Sequence, residues 1–304
     1  MLNDGRPFTA RAARDLTGRR AYRLVAAGRA REMLRGVYVD VAAADTLALR
    51  AQAAALLLPA DAVLCRGTVA WLGGIGDLRL PGSERSLPTI ECVLPAGRTP
   101  VRRPGIRCYT APMGSGDVVE SHGLLRTSTL RTTLDLARLL PRPMALAALD
   151  GLASRGLVDA PRALSEIERF AGHRGVAQGR ELLGLVEPLT ESFGESWLRL
   201  RLHDAGFPRP TAQIPIRNAR NHVLYRLDLG FEDARRGVEY DGDEHHGSPA
   251  EQLADARRRD HLRAGFGWEV VGFHRGHVWG PSLALEHAVG QLLGLEPQIG
   301  RRRW

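Results

Sequence analysis

The stretch YRLDLGFEDARRGVEYDGDEHH, residues 225–246, constrains this chain more than any other part of it. Side chains alternate between the two faces of a β-strand. Leu227, Leu229 and Phe231 then fall on one face, with Arg226 and Asp228 on the other. In the following strand Val238 and Tyr240 share a face, and Glu239 and Asp241 take the opposite one. If Asp228, Glu239 and Asp241 meet across adjacent strands, three carboxylates converge at one strand end. Carboxylates packed together repel, and they persist most easily with a cation between them. Hard oxygen donors with open positions suit Mg²⁺ or Mn²⁺. Such an ion binds a phosphodiester oxygen and activates water for in-line attack. His245 and His246 follow within five residues of Asp241, where a histidine could exchange protons with water or the leaving oxygen. Glu195, on a helix before these strands, is either a further carboxylate of the cluster or half of an ordinary i,i+4 pair with Arg199.

The surrounding pattern predicts a mixed α/β, multidomain chain, as a length of 304 residues also requires. The first segment, residues 1–44, holds a short helix over 10–16 capped by Thr9 and a second over 19–27 stopped by Gly28. A hairpin over 31–41 turns at Arg35-Gly36. Helix, turn, helix, hairpin is the outline of a winged helix, whose second helix would carry Arg19, Arg20 and Arg23 toward a DNA major groove. The alternative is a small helical cap with solvated arginines. The second segment, residues 45–187, reads as an α/β domain: a helix over 47–58, β-rich residues 87–120, then helices at 130–140, 144–152, 166–170 and 177–185. It has neither a phosphate-binding glycine loop nor a nucleophile elbow. The third, residues 188–304, orders a helix at 192–205, strands at 212–216, 224–231 and 236–241, a helix at 249–264, a strand at 269–273 and a helix at 283–292. That order implies a mixed sheet flanked by helices.

Composition narrows the partners. Net charge is +8, which favours a polyanion, but all 42 basic residues are arginine and none is lysine. With abundant Ala, Gly and Pro this resembles a codon bias, so charge alone argues for nucleic acid only weakly. Cys65, Cys92 and Cys108 include no CxxC pair, which leaves neither a disulfide framework nor a zinc site and makes them small buried side chains. No apolar run reaches the ~18 residues that span a membrane. The start MLNDGRPF lacks an apolar signal core, so the expected place of action is the cytoplasm.

The third segment resembles the restriction-endonuclease-like (PD-(D/E)xK) superfamily, and within it an uncharacterised bacterial family similar to very-short-patch mismatch-repair endonucleases. The pieces are ESFGESWLRLRLHDAGFPRPTAQ (191–213), YRLDLGF (225–231), GVEYDGDEHH (237–246) and DARRRDHLRAGFGWEVVGF (255–273). The resemblance implies a Mg²⁺- or Mn²⁺-dependent DNA endonuclease, a hydrolase of phosphodiester bonds. In it Asp228 is the central metal ligand, Glu239 the second, Glu195 the helix carboxylate, Asp241 a third acidic position and His246 the acid/base histidine. Arg226 and Arg259 are expected at the DNA. The chain departs from the superfamily in having Glu239-Tyr240-Asp241 where Glu-x-Lys is usual, and Gly272 where many members carry arginine. No ligand set for the relatives' structural zinc is present, so mismatch recognition is not carried over.

The first two segments resemble the abortive-infection type IV antitoxin architecture, a winged helix followed by an α/β domain. The pieces are FTARAARDLTGRRAYRLVAAGRAREMLRGVYV (8–39), AVLCRGTVAWLGGIG (62–76) and DVVESHGLLRTSTLRTTLDLARL (117–139). This implies DNA binding, with Arg19, Arg20 and Arg23 near the phosphates, a cognate toxin or other defence protein as partner, and Tyr38 packed rather than reading bases. Two functions follow. One is a metal-dependent nuclease delivered by a DNA-binding region, in phage defence or repair. The other is an antitoxin-like DNA-binding transcriptional regulator with an inert nuclease fold.

Overall fold

A computed structural model describes residues 2–75, 89–95, 97–100, 102, 104–242, 249–300 and 304. The chain forms two compact units, Met1–Leu136 and Ala137–Trp304, so the boundary falls inside the 45–187 segment drawn from the sequence.

The first unit opens with β1 (Phe8–Thr9), α1 (Ala10–Thr17), α2 (Ala21–Ala26), β2 (Ala30–Leu34) and β3 (Val37–Asp40), in a small sheet of order β1-β3-β2. Thr9 caps α1 by accepting from the Ala12 N–H at 3.3 Å, and Gly18 ends the helix in the left-handed conformation, φ 66°. Phe8, Ala13, Ala21, Leu24 and Ala30 make a minimal core beneath these helices. The unit continues with α3 (Leu47–Ala55), β4 (Val63–Leu64), α4 (Arg66–Leu72), β5 (Ile90–Val93), β6 (Ile106–Tyr109), β7 (Val118–Ser121), β8 (Leu124–Thr127) and the start of α5 (Thr129–Leu139). The strands form a five-stranded sheet of order β6-β5-β4-β8-β7, and Met33, Leu34, Val37 and Val39 of the hairpin share a core with Ala53, Leu64, Ile90 and Cys92. The three cysteines form no disulfide, and only Cys108 is partly exposed. Buried Arg131 ties the loop before β7 to α5, donating to Asp117 at 2.6 Å, to Asp135 at 2.8 Å and to the Pro112 carbonyl at 3.0 Å.

The second unit holds α6 (Arg142–Ala153), α7 (Ala160–Glu166), α8 (Val176–Gly184), α9 (Phe193–Asp204), β9 (Thr211–Arg217), β10 (Val223–Phe231), β11 (Arg236–Tyr240), α10 (Pro249–Phe266), β12 (Glu269–Phe273), α11 (Arg275–Trp279) and α12 (Ala284–Leu293). Its sheet has the order β12-β11-β10-β9; β9, β10 and β11 are successively antiparallel, while β11 and β12 run parallel across the α10 crossover. Helix α9 is capped by Ser192, whose Oγ accepts from the Glu195 N–H at 3.1 Å. It comes close to the sheet because residue 194 is glycine: a Cβ there would lie 2.0 Å from the Tyr240 ring.

Arg199 of α9 does not pair with Glu195. It donates to buried Asp150 of α6 at 2.7 Å and to the Leu185 carbonyl at 2.9 Å. Asp150 also accepts from the Glu187 N–H at 2.9 Å and the Ser196 hydroxyl at 2.8 Å. Removing one partner of a buried pair strands the other charge, at a cost of about 3–5 kcal/mol. Asp150→Ala is therefore expected to destabilise the protein by that order in urea unfolding; a change within about 0.5 kcal/mol, usual for surface positions, would show that the pair is not needed.

Candidate functional site

The geometry around Asp228 starts from a break in strand alternation. Leu227 pairs across the ladder with Ile214, and Leu229 with Ala212. Leu227 and Ile214 pack with Leu262 of α10, Trp268 and Val270. Leu229 and Ala212 pack instead with Trp197 and Leu198 of α9, Val238 and Phe273. Plain alternation places Leu227 and Leu229 on one face; here they serve opposite layers. The switch falls at Asp228 and its neighbour Gln213, whose backbone is left-handed at φ 55°. That conformation costs a non-glycine residue about 1–3 kcal/mol. The crease sets Asp228 between the α9 layer and the α10 layer, so carboxylates from both sides approach it.

Glu195 comes from the first turn of α9. Its Oε2 accepts from the Gln213 amide at 2.9 Å and from the Glu191 N–H at 3.0 Å. Glu239 comes from β11 on the α10 side, and Arg258 grips both its oxygens at 2.6 Å. The next helix residue, Arg259, stands 3.7 Å from Asp241. Asp228 accepts from the Tyr240 N–H at 2.9 Å. Burial, and then the negative charges of Glu195, Glu239 and Asp241, push its carboxyl up to about 6 against the lowering effect of that bond. Burial also raises the Asp241 carboxyl, opposed by Arg259.

Glu195, Glu239 and Asp241 therefore all lie within electrostatic reach of Asp228. They are not drawn into a tight set: among the described residues, the three-ligand group with atoms within 4.8 Å of one another is Glu181, His203 and Asp204. There the cation is already a guanidinium. Buried Arg142 donates to both oxygens of Glu181 and both of Asp204, and Trp304 adds a bond to Asp204 at 2.8 Å. That cluster is a structural ion-pair network.

The other expected residues divide. His246 lies outside the described residues, as does His245. Arg226 is exposed and paired with Glu191 at 2.7 Å. Arg259 fills the room above Gly272, where a Cβ would come 2.0 Å from Asp241 and 2.9 Å from the Arg259 guanidinium. An arginine at position 272 would collide with that pair. Arg19, Arg20 and Arg23 are exposed at the start and on the outer side of α2. Tyr38 is partly buried and stacks on Phe8 with centroids 6.2 Å apart. Two residues that matter here, Gln213 and Arg258, escape the sequence reading. Gln213 carries no signal, since Ala212, Ile214 and Ile216 read as a regular strand. Arg258 does: it lies four residues before buried Leu262 and so shares its sheet-facing side of α10.

Comparison with known proteins adds two findings. Residues 62–185 match the family model for the AbiEi antitoxin C-terminal domain. The chain is also 33% identical over 241 residues, 77% of its length and 83% of the relative's, to the uncharacterized protein Rv2248 of Mycobacterium tuberculosis strain H37Rv. The same figures hold for the uncharacterized protein MT2308 of the CDC 1551 strain.

The raised Asp228 carboxyl has a stability consequence. The folded state prefers the protonated form, so this stabilisation is complete below the ordinary value near 3.8 and is lost as pH rises through about 6. Asp228→Asn keeps an acceptor for Tyr240 and removes the charge. Its melting temperature is expected to exceed the parent's at pH 7.5, by roughly 2–4 °C for each kcal/mol relieved, with the margin closing toward pH 4. A margin that does not depend on pH would mean that the neighbouring charges are not felt.

Proposed function

The chain belongs to the family of these two Mycobacterium tuberculosis proteins, and from that premise we propose that it is a DNA-binding regulator of the antitoxin type. The observation that carries this reading is the antitoxin-domain match over residues 62–185, preceded in the chain by exposed Arg19, Arg20 and Arg23. The order β1-α1-α2-β2-β3 has the outline of a winged helix, and α2 is the helix it would offer to a major groove. Guanidinium groups there neutralise phosphates and release counterions. A cognate toxin is the protein partner this reading requires. No described helix is long and apolar enough to cross a membrane, which suits a partner in solution and work in the cytoplasm. Replacing Arg19, Arg20 and Arg23 together by alanine is expected to weaken DNA binding and flatten the plot of log affinity against log salt by about 1 per lost phosphate contact. An unchanged slope would remove these arginines from the interface.

A second activity is favoured by one observation, the carboxylates gathered around Asp228 at the sheet crease. We propose that the second unit is a metal-dependent nuclease of the restriction-endonuclease-like type. The order α9-β9-β10-β11-α10-β12, with β11 parallel to β12, is a mixed sheet flanked by helices, which supports this reading. The donors fit the ion: they are hard oxygens in negative excess, and among the described residues Asp228 Oδ1 accepts no hydrogen bond. Asp228 and Glu239 would hold Mg²⁺ or Mn²⁺, which when bound polarises a phosphodiester and activates water. The chain's own groups do the positioning. The Tyr240 N–H orients Asp228, the Gln213 amide orients Glu195, and Arg258 holds Glu239. His246 is proposed to move the proton. Supercoiled plasmid with Mg²⁺ or Mn²⁺ should be cut by the protein, with EDTA and Asp228→Asn each abolishing cleavage. Intact plasmid under both metals would leave the regulator alone standing.

A further inference from the structure

Arg258 and Arg259 are consecutive on α10, and they face two carboxylates, Glu239 on β11 and Asp241 just past its end. The two contacts differ in kind. Arg259 stands 3.7 Å from half-exposed Asp241, whereas Arg258 makes a two-point fork to Glu239, which is 6% exposed. A fork of that geometry uses both oxygens of the acceptor. On the nuclease reading Glu239 is a metal ligand, so a divalent cation and Arg258 compete for one carboxylate. The displaced guanidinium has somewhere to go. It lies 5.7 Å from the face of the Tyr225 ring, its side chain is 28% exposed, and it reaches toward the Arg226 carbonyl at 3.5 Å. A phosphodiester offers a guanidinium the same two-point acceptor as a carboxylate. With no lysine anywhere in the chain, the positive charge beside the cluster must come from arginine.

We infer that Arg258 is an exchangeable counter-ion: it neutralises Glu239 until a divalent cation takes that carboxylate, and then it binds the phosphodiester of the DNA. This rests on the nuclease reading of the second unit, and it adds a coupling that the reading does not contain. Metal binding releases the arginine, the released arginine attracts DNA, and by linkage DNA favours the metal-bound form. Without metal, Arg258 stays on Glu239 and is not available to the phosphodiester.

The experiment uses the full chain, with Mg²⁺ titrated against melting temperature and a short fluorescent duplex read by anisotropy within seconds, before turnover. The parent should melt higher with Mg²⁺, and Asp228→Asn should not respond. Arg258→Gln should reach half its Mg²⁺ response at a concentration at least fivefold lower than the parent, because the competitor is gone. Its DNA affinity should match the parent's without Mg²⁺ and fall at least fivefold with Mg²⁺, with a salt slope smaller by about 1. Arg258→Lys, which keeps the charge but not the fork, should fall between parent and Arg258→Gln on both readouts, and it serves if Arg258→Gln does not fold. Equal Mg²⁺ midpoints, or a loss of DNA affinity that is the same with and without Mg²⁺, would overturn the inference and leave the metal site standing. A parent that shows no Mg²⁺ response would overturn both.

Discussion

The second unit depends on one backbone event, the left-handed Gln213 opposite Asp228. Without it β9 and β10 would be a regular antiparallel pair, Leu227 and Leu229 would face the same helix, and Asp228 would point wholly into the other layer. With it, Leu227 is buried against α10 and Leu229 against α9, and Asp228 sits where the faces exchange. A conformation that costs about 1–3 kcal/mol persists only when its surroundings over-determine it. Here the residue also supplies the amide that orients Glu195. Local strain and side-chain placement are thus one feature, built on strands that the adjoining apolar clusters hold rigid.

The absence of lysine shapes the rest. Arg131, Arg142, Arg199 and Arg201 are all buried, and each is matched by carboxylates. Arg201 shows why arginine can do this. It pairs with Glu286 and also donates to carbonyls of His277, Val278 and Ser282, fixing α11 and the turn into α12 against α9. Five donors on one rigid plane let a single residue satisfy a carboxylate and several carbonyls. A net charge of +8 is therefore a poor measure of a DNA-binding surface here. Many guanidiniums are interior fasteners, and the relevant ones are those, like Arg19, Arg20 and Arg23, that stand exposed.

What could be read in advance follows from which forces are local. The cap at Thr9, the stop at Gly18 and the periodicity of β10 and α10 are short-range, so the elements they mark fell close to their expected limits, whereas α7 (Ala160–Glu166) and α11 (Arg275–Trp279) lie outside the expected helices. The short β1, β4 and α4 escaped because they are two to seven residues long and are defined by pairing or packing rather than by pattern. The four carboxylates were visible as residue types at spaced positions. Their partners were not: Arg199 was equally placed for Glu195 at i−4, and only the tertiary position of Asp150 decides against that pair. The crease had no signature, because a left-handed glutamine looks in sequence like any polar residue on an alternating strand.

The balance between regulator and enzyme turns on the cost of the cluster. A module that only binds DNA gains nothing from several carboxylates near its ligand, since each repels phosphate and burial penalises its charge. The chain bears that penalty at Asp228, whose proton is held up to about 6, and compensates it only in part. Arg258 neutralises Glu239 and Arg259 leans on Asp241, while among the described residues Asp228 receives a single N–H and no direct guanidinium contact, with Arg258 acting on it only at a distance. In the structural networks every carboxylate has a direct guanidinium contact: Arg142 reaches both Glu181 and Asp204, and Arg131 reaches both Asp117 and Asp135. The carboxylates left without a direct guanidinium contact among the described residues are Glu195 and Asp228, and Asp228 is the one where both helical layers meet. That is the place where a divalent cation would gain most, and it is the physical reason for keeping the enzyme reading beside the regulator that the antitoxin domain supports.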